Sequence, residues 1–307
     1  MALVQDPAVQ RRRLRTELRK ARTNAKRTQK EVAEALSWSV SKVTRIEGGD
    51  VGISKTDLQA LLTFYGVRDK RTIDELTELA QTSRKQRWGE YRDLMNPEFM
   101  VYLGHESAAS TIRQYQPTLI PGLLQTEEYA KAILTGTYRE DPQIADRKWQ
   151  ARQERQEILE RPDPPDIEVV IDESAARRLV GGREGMRRQL ERLKELGTRP
   201  NVSIQIVPFS AGAHPGLRGP ATILSFPDAA DDDVIFLEGT RGDGGGDLTT
   251  RDRPEGTSPY YEAFFDLQDL ATRPEDIVEV IDKLIADLDK ADTLPFTAAP
   301  TDQATSS

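Results

Sequence analysis

The sequence predicts an α+β protein in two parts. An N-terminal all-α domain of five helices covers residues 8–87; past a junction at 88–103, a mixed α+β domain with about four strands covers residues 104–291. Three observations predict it. Through the first quarter of the 307 residues, apolar side chains recur only at helical spacing. Short runs rich in Val and Ile, of strand length, appear only beyond residue 166, interleaved with further amphipathic stretches. Charge divides the chain near the same place: residues 1–87 carry 19 Lys+Arg against 11 Asp+Glu, whereas the rest carries 24 against 40. A basic front on an acidic body gives the front end alone an electrostatic reason to meet a polyanion.

The helices follow in order. From Val9 to Ala25 the chain is mostly Arg, Lys, Ala and Leu, good helix formers, with Leu14, Leu18 and Ala21 at helical spacing. Thr28-Gln29-Lys30-Glu31 fits a capping box, a hydroxyl at the cap and a carboxylate three residues on. It opens a second helix with Val32, Ala33 and Leu36 inward, which Ser37-Trp38-Ser39 interrupts. A third short helix runs from about Val40 to Glu47, turns Val43 and Ile46 inward, and stops at Gly48-Gly49. Ser54 caps a fourth helix bearing Leu58, Leu61 and Leu62; a fifth, at about Lys70 to Ser83, bears Ile73, Leu76 and Leu79. Two short helices joined by a tight turn inside a five-helix packet is helix-turn-helix architecture. The basic segment Arg84-Lys85-Gln86-Arg87 closes the domain.

The stretch from Thr28 to Gly49 resembles the Xre (Cro/repressor-like) DNA-binding family. The family's small residue after the first Ala, its apolar trio and its Arg-Ile-Glu-Gly ending (Arg45 to Gly48) are matched. The resemblance covers roughly residues 10–67 and departs at Ser37, where the family often has a turn glycine. It implies binding to double-stranded DNA, with Ser39, Val40, Ser41, Thr44 and Arg45 facing the bases and Gln29 meeting a phosphate or a nearby base. The residue types suit that task. Short side chains let a helix backbone approach the major-groove floor, and Arg bonds guanine bidentately. The amides at the start of the second helix suit a phosphate. Lys42, with Arg11, Arg12 and Arg13, is expected to add sequence-independent attraction.

Beyond the first domain, Met95 to Tyr102 reads as a bridge in which Pro97 breaks helix. Trp88, Tyr91 and Phe99 read as aromatics packed at the junction, in preference to a stacking platform for single-stranded nucleic acid. His105 to Tyr115 reads as a helix, followed by an extended segment and turn over 116–122. Thr126 caps a helix with Tyr129, Ala130 and Ile133, and a long charged helix spans about Pro142 to Leu159. Four strand-like runs follow: Ile167–Ile171, Val202–Val207, Ala221–Phe226 and Val234–Leu237. Val202, Ile204 and Ile206 alternate with Ser203 and Gln205, which predicts a sheet with one solvated or helix-poor face. Met186, Leu190, Leu193 and Leu196 stripe a helix between the first two strands, as a βαβ connection requires. Helices at about Ser258–Leu270 and Pro274–Asp289 complete the domain, and the polar tail at 292–307 is expected to fray.

The run from Glu106 to Ala130 is similar to the C-terminal domain of Scr-type, antitoxin-like Xre regulators of actinobacteria. Arg152-Gln153, the run from Val170 to Gly182, and Val207-Pro208-Phe209 extend the similarity. It implies a DNA-binding regulator paired with a short partner protein encoded nearby, and it transfers no catalytic residue.

Composition removes several chemistries. Without cysteine there is no disulfide, thiolate nucleophile, zinc ribbon or iron–sulfur cluster, and the two histidines, His105 and His214, are too few for a His-rich metal site. Gly242 to Asp247 lacks the Lys-Ser/Thr of a phosphate loop and reads as an acidic loop. His214 lies among turn residues and reads as a surface or capping residue; Glu173 and Glu238 end strands without a placed acid–base partner. The expectation is a protein that is not an enzyme and uses no cofactor or metal. No apolar run approaches the roughly 20 residues of a membrane helix, and the first residues hold no apolar signal core, so a soluble cytoplasmic protein without a membrane partner is expected. A homodimer is expected as well, because one such module reads few base edges. The second domain would bind a ligand or a small partner protein. The alternative is an antitoxin-like protein that neutralises a small partner and autoregulates its own operon.

Overall fold

The computed structural model describes residues 7–48, 51–83, 88–137, 139–227, 233–238, 246–249 and 258–290. Five helices come first: α1 (Pro7–Asn24), α2 (Gln29–Ala35), α3 (Val40–Gly48), α4 (Lys55–Phe64) and α5 (Lys70–Thr82). Local chemistry fixes their starts. The Thr28 hydroxyl accepts the Glu31 N–H at 3.2 Å while the Glu31 carboxylate accepts the Thr28 N–H at 2.7 Å, the reciprocal pair of a capping box. Ser54 and Asp69 cap α4 and α5, accepting the N–H groups of Asp57 and Thr72 at 2.9 Å each. Between α2 and α3, Ser37 takes a left-handed φ of 55°, the conformation a glycine adopts without strain. The five apolar stripes meet in one core around Leu18, Val32, Val43, Leu58 and Leu61, all about 1% exposed or less.

The second part contains α6 (Pro97–Ala108), β1 (Thr111–Gln116), α7 (Glu127–Ala132), α8 (Pro142–Gln156), β2 (Asp166–Asp172), α9 (Glu173–Arg177), α10 (Gly182–Leu196), β3 (Val202–Val207), β4 (Ala221–Ser225), β5 (Val234–Glu238), β6 (Gly246–Thr249), α11 (Ser258–Leu270) and α12 (Ile277–Lys290). One sheet runs in the order β3-β2-β1-β4-β5-β6. Its first three strands are parallel, linked through helices; β4, β5 and β6 continue it antiparallel. Successive side chains alternate faces. Ile112, Val169, Ile204 and Phe236 face a core shared with α6, α10 and α12, while Tyr115, Val170, Ile223 and Ile235 face Phe264 and Leu267 of α11. The two parts touch through α1, which packs along α5 and also against α6; the Arg12 guanidinium lies over the Phe226 ring.

Several expectations change. The helix expected over His105–Tyr115 is the end of α6 followed by β1. Pro97 does not break a helix but starts one: at the first helical position its missing N–H costs nothing, and Asn96 caps it by accepting the Phe99 N–H at 2.7 Å. With β6, which takes in Gly246 and Asp247 of the expected acidic loop, β1 brings the sheet to six strands where about four were expected. The face of β3 expected to be solvated or helix-poor is covered by α11 and its C-terminal turn, where the Gln205 amide donates to the carbonyls of Gln268 and Thr272 at 3.2 and 2.9 Å. Gly49, Arg84 to Arg87, Gly242 to Gly245 and the tail at 292–307 lie outside the described residues.

Candidate nucleic-acid interface

The inner face of α3 is built to hold still. Val43 and Ile46 enter the core, and Glu47, 1% exposed, gathers polar groups from three other segments. Arg22 of α1 donates to its carboxylate at 2.7 Å and Gln29 of α2 at 2.9 Å; the Tyr65 hydroxyl, after α4, lies at 3.5 Å. Burial, and then the Glu47 charge, push the Tyr65 phenol well above its ordinary range. Gln29 in turn accepts the Thr44 hydroxyl at 2.9 Å, so Thr44, Gln29, Glu47 and Arg22 form one chain across three helices. Arg15 of α1 donates to the Gly48 carbonyl at 3.0 Å and satisfies an otherwise orphaned acceptor at the end of α3.

The outer face is open. Ser39, Val40, Ser41, Thr44 and Arg45 are all exposed, as the sequence reading placed them. Ser39 also caps the helix, accepting the Lys42 N–H at 3.1 Å. Among the described residues Arg45 makes no hydrogen bond or ion pair, and Val40 is 46% exposed at the first helical position. An apolar side chain there suits a thymine methyl and a guanidinium suits guanine. Lys42 is placed differently from its neighbours. Its ammonium sits 3.2 Å from Asp57 on α4 and 3.8 Å from the centre of the Trp38 ring, so it fastens α3 to its surroundings. Gln29, half-buried, has one amide hydrogen left over for a phosphate or base once Glu47 and Thr44 are satisfied.

The expected role of the N-terminal arginines is corrected in part. Arg11 donates to the Ser83 carbonyl at 2.8 Å and Arg12 lies on Phe226, so both face protein; Arg13 is exposed. Sequence reasoning missed the residues behind the interface. Glu47 appeared only as part of an ending and Arg22 as one basic residue among many, because their meeting depends on how α1 and α3 pack.

In the second domain the junction aromatics are packed, as expected: Trp88 and Tyr91 are 6% and 5% exposed, and Phe99 stacks on Tyr102. His214 holds the cap position of the turn over 215–218, without a side-chain cap bond, and is not a surface residue. Its side chain is 4% exposed, with Nε2 3.5 Å from the Asp172 carboxylate and its ring edge-on to Tyr115. Gly216 permits this crowding, since a Cβ there would stand 2.3 Å from the Tyr115 ring. Glu173 accepts the Phe209 N–H at 2.7 Å and Arg177 Nε at 2.5 Å, while Glu238 accepts the Gln116 amide at 3.1 Å. Among the described residues no three His, Asp or Glu side chains could hold a metal ion together, and no helix is long and apolar enough to cross a membrane.

Residues 13–76 match a helix-turn-helix domain, and residues 99–283, more than half of the chain, match a family described as a domain of unknown function, DUF5753. No curated protein and no solved structure matches the chain.

Proposed function

Because this chain belongs to the DUF5753 family and carries a helix-turn-helix domain ahead of the family segment, we propose that it is a sequence-specific transcriptional regulator. In this reading it acts as a dimer that reads its operator through α3 and receives its signal in the second domain. One observation carries the reading: α3 is anchored on one face by Glu47 and Arg15, and opens the other with Val40, Ser41 and Arg45 exposed. A rigid helix with short side chains and one unengaged guanidinium is what direct readout of base edges requires. The Xre-like signature from Thr28 to Gly49, which falls on α2 and α3, supports the finer assignment, and a chromosomal target would place the protein in the cytoplasm. We read it as a binding protein rather than an enzyme, since both oxygens of Glu173 are engaged in structural contacts.

Exposed apolar side chains support a protein contact on the second domain. Phe209, Leu217 and Phe265 are 60%, 68% and 48% exposed, and the turn over 215–218 packs on α11, which carries Phe265. In the dimeric reading this surface meets a second copy. In the antitoxin-like alternative it meets a short partner protein encoded nearby, and a stoichiometric small protein that co-purifies would decide for the alternative.

Genome-wide immunoprecipitation of the tagged protein, beside a Ser41→Asp and Arg45→Ala double variant, tests the regulator reading. Sharp peaks sharing an inverted repeat, lost in the variant, are expected. Arg45→Ala alone should cost about 1–3 kcal/mol on that repeat and relax preference at one base pair. No enrichment from a folded protein would overturn the reading.

A further inference from the structure

A cavity of about 150 Å³ lies in the second domain at the carboxyl end of β1, where the parallel half of the sheet meets the antiparallel half. In open α/β sheets ligands bind outside the carboxyl ends of the strands where the strand order reverses, and here β2 and β3 lie to one side of β1 and β4 to β6 to the other. The alternation of faces explains why the sheet opens here. Ile112, Gln114 and Gln116 share one face of β1, and Thr222 of β4 and Glu238 of β5 fall on the same face, so a surface that is apolar elsewhere turns polar at this point.

Three kinds of wall surround the space. One is aromatic: Phe99 and Tyr102 of α6 and Phe236 of β5 stack in series, with centroids 5.6 and 4.2 Å apart and planes inclined by 21° and 25°. The second is cationic and belongs to α8, which lines the cavity with Lys148, Arg152 and Arg155. Arg155 is neutralised by the buried Glu106, at 2.5 and 2.7 Å, and its approach depends on Gly122, whose Cβ would stand 2.9 Å from the guanidinium. Lys148 pairs with Glu140, which is outside the lining, and among its contacts Arg152 donates to the Gln125 amide. The third wall is the sheet floor, where Glu238 holds Gln116 and where Gln114 stands out. Gln114 is 5% exposed, lines the cavity, and its amide makes no hydrogen bond among the described residues. Its amide atoms are not closed off but face the open space of the cavity, where the polar group of an entering molecule can meet them.

We propose that this cavity binds a single-ring aromatic acid that also carries a hydrogen-bond donor, such as a hydroxy- or amino-substituted benzoate. The volume matches one ring, since a cavity of about this size accommodates benzene. The aromatic wall takes the ring face, Arg152 and Lys148 take the carboxylate, and Gln114 and Glu238 take the donor. This deepens the regulator reading, on which it rests for its biological meaning, by assigning the second domain a ligand class.

The test is ligand-detected NMR and titration of the full chain with 4-hydroxybenzoate and 4-aminobenzoate, beside benzoate, which lacks the donor, and 4-hydroxybenzamide, which lacks the charge. Both substituted acids should bind, with each control at least tenfold weaker. Gln114→Leu keeps the side-chain size and removes the cavity-facing amide, so it should fold and lose at least tenfold in affinity; Arg152→Gln should lose preference for the acid over the amide. Failure of both acids to bind the wild type would overturn the proposal, as would equal binding by a folded Gln114→Leu. Operator binding measured on the same samples keeps the two readings apart: an intact operator complex without acid binding sinks only the ligand assignment.

Discussion

Glu47 receives Arg22 at 2.7 Å and Gln29 at 2.9 Å in a site that is 1% exposed, and the exposed side chains of α3 depend on where that carboxylate fixes the helix. Charge-assisted bonds of this kind contribute more than neutral ones, and the larger effect comes from removing one partner, which strands the other. Glu47→Gln keeps the shape and removes the charge. Arg22 is 19% exposed, so water recovers part of its loss, and the substitution should destabilise the first domain by about 1–3 kcal/mol rather than the larger cost of a fully buried pair. Urea unfolding followed by circular dichroism checks this. Operator affinity should fall with it, because Gln29 and Thr44 lose their anchor. Unchanged stability would mean the network only decorates a helix that packing already holds.

Capping chemistry that begins α2 is also what makes that helix legible in sequence, and it gives the helix a pH signature. Hydrogen bonding to the Thr28 N–H, and then to its hydroxyl, holds the Glu31 carboxyl below its ordinary 4.5. A carboxylate lowered on folding contributes stability that is complete above its unfolded value and is lost as pH falls through the lowered one. Between pH 5 and pH 3 the first domain should therefore lose stability more steeply in the wild type than in Glu31→Gln. Thr28→Ala should cost about 1 kcal/mol at neutral pH. Parallel slopes for wild type and Glu31→Gln would contradict the first expectation. All five helices of this domain announced themselves through an apolar stripe, and α2 and α4 through a cap residue as well. The strand β1 did not. Its inward positions are Ile112, Gln114 and Gln116, so the apolar alternation that marks a strand is absent, and Glu106 to Ser110 ahead of it continues a helical pattern. The glutamines that hid the strand are the ones that line the cavity. The cavity itself draws on residues from Leu94 to Glu238, a convergence that no local pattern encodes.

At the scale of the whole molecule, α6 joins the cavity to the first domain. Phe99, Tyr102 and Leu103 line the cavity, while the same helix packs on α1, whose far end holds Arg22 against Glu47 behind α3. Near that contact Arg12 of α1 lies on Phe226, next to the end of β4. A ligand that fits α6 better in one position than another would bias α1, and with it α3, the helix proposed to read DNA. Such coupling is a free energy shared by two sites, so it must be reciprocal: if the acid changes operator affinity by some factor, operator must change affinity for the acid by the same factor. Typical couplings correspond to about 5–150-fold. The prediction is a matched pair of factors, measured by fluorescence anisotropy of labelled operator with and without acid, and by titration of acid with and without operator. In Arg12→Ala each binding affinity alone should stay within about threefold, since a partly exposed cation–π contact is worth about 0.5–1 kcal/mol. Both factors should instead shrink together toward one, because the contact removed lies between the sites and in neither. If the two factors stay matched and undiminished in Arg12→Ala, the signal does not travel through this contact, and the packing of α1 against the rest of α6 carries it.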